Sequence, residues 1–297
     1  MTAKERGFLL LTSQLGDPAR RPLTTAQFRV LSRRARDMSR PTVDRDLTQA
    51  DLTALGYGPE QAHRILSLLH DQVLLDLYLL RGERAGCSPL SRLSDHYPMA
   101  IHNRLGDDAP GCIWAKGDLS LLSKPAISLV GSRELTEENL AFAQEVGRQA
   151  ALQGLVLVSG NARGADKAAQ RSCLDHGGQV IAVVADELEY HPIQENLLYL
   201  SEESFDLPFS AQRALSRNRA IHCMGLRTFV AQATYQKGGS WDGAVRNLRH
   251  HWSPLYCHND GSQAANTLID MGAAGISIGD LHDIAALPIR YFSLFDQ

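Results

Sequence analysis

The chain has 297 residues and a formal net charge of −3, with 44% apolar and 21% charged residues, the balance of an ordinary globular protein with a sizeable core. No run approaches the ~18 apolar residues of a spanning helix, and the first apolar run, Phe8 to Leu11, is shorter than the roughly 7–15 residues of a secretory signal. Membrane, disordered and exported classes are excluded, and a cytoplasmic location is expected.

Residues 1–85 hold no strand pattern, and their apolar positions recur at helical spacing, which predicts a small helical domain. Within it Gly56 and Gly58 supply a tight turn and Pro59 opens the next helix, a helix-hairpin-helix (SAM-like) arrangement. Such hairpins bind a nucleic-acid backbone in some proteins and serve as packing units in others. Residues 86–120, rich in Gly, Pro, Asp and Ser, read as a linker or entry segment. From 121 to 297 short apolar runs alternate with amphipathic segments: 126–130, 155–158, 179–184, 227–231, 255–258 and 275–278. That alternation predicts an α/β domain with a doubly wound, mostly parallel sheet.

The small net charge conceals opposed segments. Phe209 to Trp252 holds seven Arg/Lys and one acid, Asp242, whereas Asp186 to Asp206 holds seven acids and no Arg or Lys. The first forty residues hold nine Arg/Lys against three acids. The basic zones are candidate polyanion surfaces, although charge runs also serve simply as solvated faces. Five scattered cysteines, none in a Cys-x-x-Cys pair, are expected to be buried thiols, with no disulfide framework and no structural metal.

In doubly wound sheets ligands bind outside the carboxyl ends of the strands. Three apolar runs end in distinctive loops: Gly131-Ser132-Arg133; Ser159-Gly160-Asn161-Ala162-Arg163-Gly164-Ala165-Asp166; and Lys237-Gly238-Gly239-Ser240. Glycine lets backbone approach a phosphate, amides at a helix start point at it, and Arg grips its oxygens. Glu137 and Glu138 would repel an anion at their helix start, so the phosphate is expected nearer Arg133. A helix opening near Ser210 places Arg213 and Arg217 on one face and Arg219 beside Asn218; with Arg227, Lys237, Arg246 and Arg249 these predict a basic strip reaching the strand ends. Neither a Gly-x-Gly-x-x-Gly nor a Gly-x-x-x-x-Gly-Lys-Ser/Thr loop is present, and no cofactor is expected.

Taken together, Tyr97-Pro98, Trp114-Ala-Lys-Gly117, Val130-Gly-Ser-Arg133, Ser159-Gly-x-Ala-Arg-Gly-Ala-Asp166, Arg217-Asn-Arg-Ala-Ile221, Gly239-Ser240 and Gly261-Ser-x-x-Ala-Asn266-Thr-Leu-Ile-Asp-x-Gly-Ala273 resemble the DNA-processing protein A (DprA/Smf) family over roughly residues 95–280. The resemblance implies an extended Rossmann-like domain that dimerises, binds single-stranded DNA and helps load a RecA-type recombinase in DNA uptake or recombination, without enzymatic turnover. Residue by residue it implies that Gly131, Ser132, Arg133, Ser159, Gly160, Arg163, Asp166, Asn218, Arg219, Gly239 and Ser240 belong to the pocket; Asn161, Arg213, Arg217 and Lys237 join them as the neighbouring polar and cationic candidates. Three departures mark a divergent member: Asn161 replaces the usual apolar or Gly residue, Lys237-Gly-Gly-Ser-Trp-Asp replaces a Ser-Gly-Ser stretch, and His258-Asn259 replaces Pro-Gly. The residues after Ala273 are too few for the winged helix many members append.

The competing reading is a nucleotide-derivative sensor or phosphoribohydrolase of the same Rossmann-like superfamily, whose Pro-Gly-Gly-x-Gly-Thr-x-x-Glu loop corresponds to Lys237-Gly-Gly-Ser-Trp-Asp. N-glycosidic cleavage needs a poised acid, and Asp242 is the sole carboxylate nearby. His250, His251 and His258 lack a metal-ligand spacing, and Ser159 lacks the first Gly of Gly-x-Ser-x-Gly. At the carboxyl end, Phe292, Leu294 and Phe295 either pack on the protein or resemble the end of a sliding-clamp docking peptide.

Overall fold

A computed structural model describes residues 1–36, 46–92, 94–202 and 204–289. Five helices open the chain: α1 (Ala3–Thr12), α2 (Thr25–Arg36), α3 (Gln49–Ala54), α4 (Pro59–His70) and α5 (Gln72–Arg84). Their starts follow capping rules: reciprocal Thr2–Glu5 and Thr48–Asp51 boxes open α1 and α3, and Pro59 fills the first position of α4. The first four share a core of Leu11, Phe28, Leu31, Leu52, Ile65 and Leu68. Buried Arg20 ties them together, donating to the carbonyls of Leu10 at 2.6 Å and Leu68 at 3.0 Å and pairing with Asp71 at 3.0 Å.

The segment 86–120, expected as a linker, is part of the sheet. It carries β1 (Ser88–Ser91), α6 (Met99–Leu105) and β2 (Cys112–Gly117). The edge strand β1 tolerates Pro89, which has no N–H to donate. In β2, Trp114 is fully buried, with ring centroids 5.4 Å from Tyr78 and 4.7 Å from Phe205. Leu9 and Leu10 of α1 and Leu75 and Tyr78 of α5 join the same core, so the amino-terminal helices are docked on the sheet.

The rest alternates strand and helix: β3 (Ala126–Val130), α7 (Glu137–Leu152), β4 (Val156–Ser159), α8 (Ala165–Asp175), β5 (Gln179–Val183), β6 (Leu197–Ser201), α9 (Ala211–Met224), β7 (Thr228–Val230), α10 (Gly238–His250), β8 (Leu255–His258), α11 (Gln263–Asp270) and β9 (Ala274–Ile276). The strand order is β1-β2-β6-β5-β4-β3-β7-β8-β9. Pairings from β6 through β9 are parallel, and β1–β2 and β2–β6 are antiparallel. This is the mixed, mostly parallel α/β sheet that the sequence pattern predicts. Alternate side chains feed two cores. Ile127, Leu157 and Phe229 face α7 and α8, while Val130, Val158 and Val230 face α9 and α10.

From β3 the chain winds outward through β4, β5 and β6, then returns to place β7 on the other side of β3. Strand order therefore reverses between β3 and β7, which opens a crevice at their carboxyl ends. The five cysteines are buried and unpaired with one another. Phe292, Leu294 and Phe295 lie outside the described residues.

Candidate functional site

At that reversal lies a cleft of about 470 Å³. The loops after β3, β4 and β7 converge on it and are tied to one another. The Ser132 amide donates to the Gln232 carbonyl at 2.9 Å, and the Ala165 amide donates to the Ser132 carbonyl at 3.1 Å. The side-chain oxygen of Gln232 accepts from the Thr136 amide at 3.1 Å. Asn161 and Gln236 hold left-handed backbone, φ 59° and 54°, the kind of local strain that persists where surrounding structure enforces it.

Glycine is required where these loops touch. Gly164 has φ +86°, and a Cβ there would stand 2.4 Å from the Ser132 carbonyl oxygen. Gly164→Ala is expected to cost ~1–3 kcal/mol of stability through left-handed strain and that contact. A calorimetric midpoint equal to that of the unmodified protein would contradict it. At Gly160 a Cβ would overlap the Arg217 guanidinium, 1.6 Å from Nη1; the missing side chain is what lets Arg217 run beneath the loop.

Of the residues singled out from sequence, Gly131, Ser132, Arg133, Asp166, Arg217, Asn218, Lys237, Gly239 and Ser240 line the cleft. Arg133 and Lys237 are solvent-exposed. Asn218 Nδ2 donates to the Gly239 carbonyl at 3.1 Å, joining α9 to the start of α10. Asp166 is buried and accepts from the Ala162 amide at 3.1 Å. Burial pushes its carboxyl above the usual range, against the opposing pull of Arg217 and the loop amides. Arg217 donates to the Gly160 carbonyl at 2.8 Å, and burial lowers its affinity for a proton while Asp166 and Glu202 raise it.

The basic strip does not form as expected. Arg213 is buried and donates to the carbonyls of Ala185 at 2.8 Å, Leu207 at 2.6 Å and Pro208 at 2.8 Å, so it fastens the entry to α9. Arg227 precedes β7, at the opposite end of the sheet from the cleft, and donates to the Ala285 carbonyl at 2.8 Å. Arg246 pairs with Asp242 at 3.0 Å, and Arg219 lies 3.6 Å from buried Glu202. Ser159 is fully buried, accepting from Gln170 Nε2 at 2.6 Å. Arg163 stands outside the cleft, 3.6 Å from Glu134, both exposed.

Sequence reasoning missed Phe209. It is 54% exposed, lines the cleft and has its ring centroid 6.0 Å from the Arg133 guanidinium carbon. The signal was an aromatic directly ahead of the Arg-rich helix. Outside the cleft, His258 bonds Asn139 at 2.7 Å and stacks on Phe142 at 4.4 Å, while His250 stacks on Trp252 at 5.4 Å.

Comparison with known proteins bears on this arrangement. The profile of the family described as DNA recombination-mediator protein A matches residues 89–286. The chain belongs to that family. DNA processing protein DprA of Streptococcus pneumoniae is 37% identical over 167 residues, covering 50% of this chain and 55% of the relative. Protein Smf of Escherichia coli is 26% identical over 236 residues, covering 75% and 62%. The chain therefore matches less than two thirds of either curated relative's length. The X-ray structure of S. pneumoniae DprA superposes with a TM-score of 0.71 at 26% identity, covering 95% of this chain and 96% of that one. A structure of Helicobacter pylori DNA processing protein A, described for its single-stranded DNA binding mode, gives a TM-score of 0.57 at 25% identity, covering 66% and 94%. The DprA family match includes every residue of the cleft. Among the described residues no helix is long and apolar enough to cross a membrane.

Proposed function

We propose that this DprA-family chain binds single-stranded DNA at the cleft and acts in the cytoplasm as a homodimeric recombination mediator, covering single strands and helping load a RecA-type recombinase in DNA uptake or recombination. The observation that carries the reading is the convergence of three glycine-bearing loops at the strand-order reversal, with Arg133 and Lys237 free to meet phosphates. Phe209 adds an exposed aromatic face beside Arg133 on which a base can stack. This division suits sequence-tolerant binding, since phosphates and ring faces are common to every nucleotide. It also suits the name of the H. pylori relative, which binds single strands.

The test is fluorescence anisotropy of labelled oligothymidine and of a duplex across a salt series. Preference for the single strand is expected, with log affinity falling linearly in log salt by ~0.7 per neutralised phosphate. Absence of binding at low salt, or binding indifferent to salt, would sink the proposal.

One observation favours a second reading, a nucleotide sensor or phosphoribohydrolase. Asp166 places a carboxyl of raised proton affinity in a cleft whose size suits a nucleotide. Asp242, considered from sequence, is instead paired with Arg246 on α10. Incubation with nucleoside monophosphates is expected to release no free base; release abolished by Asp166→Asn would establish the hydrolase instead.

A further inference from the structure

A second and larger hollow, about 870 Å³, lies on the other side of the first turn of α8. Ala162 and Asp166 line the cleft, and Lys167, Ala168, Gln170 and Arg171 line this groove. The two are separated by a single helical turn. Across that turn runs a row of cations at four-residue spacing, Arg163, Lys167 and Arg171, all exposed. Residues four apart share one helix face, and Lys167 and Arg171 stand ~6 Å apart along the axis.

The row is tied to the cleft, and while Arg163 lies 3.6 Å from exposed Glu134, Lys167 and Arg171 have no ion-pair partner among the described residues. Lys167 Nζ bonds Asn161 Oδ1, in the loop that closes the cleft. Arg171 has no hydrogen-bond or ion-pair partner among the described residues. Glu145, on the facing wall, is committed to Arg148 at 2.7 Å and Gln149 at 2.8 Å. Exposed Asp175 and His176 stand at the far end of α8.

We propose that a single strand leaving the cleft crosses the first turn of α8 and continues along this groove, its phosphates meeting Arg163, Lys167 and Arg171 in turn. The inference rests on the reading of the cleft as a single-stranded DNA site and extends it to the opposite face of the sheet, since α9 lines the cleft and α8 lies across the sheet from it. Unlike the cleft, the groove presents no exposed Phe, Tyr or Trp, its Tyr199 being buried, so contact there is mainly to phosphates.

Oligothymidines of roughly six and roughly twenty nucleotides, spanning the short and long ends of known single-strand site sizes, separate the two segments. With Arg171→Glu and with Lys167→Glu/Arg171→Glu, affinity for the long oligomer is expected to fall about tenfold and its salt slope to become shallower by ~0.7 per lost contact. Arg171→Glu should bind the short oligomer like the parent. Parent-like binding of the long oligomer by both variants overturns the groove while leaving the cleft standing. An equal loss for both lengths in Arg171→Glu also overturns it, since Arg171 then acts within the cleft. A parent protein that binds neither length overturns the cleft reading and the groove with it.

Discussion

Replacing Arg217 with Ala is expected to lower the stability of the fold by about 3–5 kcal/mol, the range for stripping one partner from a buried charge pair. Arg133→Ala is expected to leave the unfolding midpoint unchanged and to weaken single-stranded DNA binding by ~1–3 kcal/mol. Both arginines line the cleft, and both suit an anion site by sequence, but their surroundings differ. The Arg217 guanidinium lies beneath Gly160, holds that residue's carbonyl at 2.8 Å and sits among Asp166, Glu202 and Asp186. Its removal leaves Asp166 buried without the cation that most offsets its burial. Arg133 is exposed, lies over the face of Phe209 and feels Asp166 and Arg217 through charge alone, with no carbonyl holding it among the described residues. Thermal unfolding and anisotropy on the same two variants decide the matter. An Arg217→Ala protein that melts with the parent, or an Arg133→Ala protein that melts far below it, reverses the assignment of structural and binding roles.

That contrast shows where the sequence is legible. Most of the parallel strands read correctly because they are buried on both faces and appear as near-continuous apolar runs, such as Ala126–Val130, interrupted by Ser128 alone. β2 was hidden because Lys116 interrupts it and the flanking residues are turn-formers; its ammonium is satisfied by the Glu189 carbonyl at 2.6 Å, a partner distant in sequence. β6 was hidden by the acids on either side of it, although its own five residues are all buried. The four-residue spacing of Arg213 and Arg217 does place them on one helix face. The error lay in taking that face for a solvated one. The carbonyls that accept from the two side chains belong to Gly160, in the β4–α8 loop, and to Ala185, Leu207 and Pro208, so only the folded chain shows that the face points inward. The cleft itself was foreseeable, because Gly, Ser and Arg directly after apolar runs mark strand ends whatever the strand order.

The second large effect is acid sensitivity centred on His222. The imidazole is fully buried in α9 against Gly243, where a Cβ would stand 2.8 Å from its Nε2, and neither ring nitrogen has a hydrogen-bond partner. Burial alone pushes its pKa down to about 3; Arg104, close to the end of α9, spends its guanidinium on the backbone carbonyls of Cys223 and Gly225 at 2.6 Å and of His222 at 3.5 Å. A histidine whose folded pKa lies below the unfolded value of ~6.5 binds fewer protons folded than unfolded. The stability it permits is therefore present above pH ~6.5 and drains away as pH falls toward about 3, by ~1.4 kcal/mol per pH unit within that window. His222→Leu has a similar volume and cannot titrate. Between pH 7 and pH 4 the parent should therefore lose about 3 kcal/mol more than the variant, while His258 and the carboxylates titrate equally in both. Denaturant unfolding of the two proteins at a series of pH values reads this difference directly. Parallel stability curves would mean that water or a rearranged partner reaches the ring, and that the α9–α10 contact is looser than its geometry indicates.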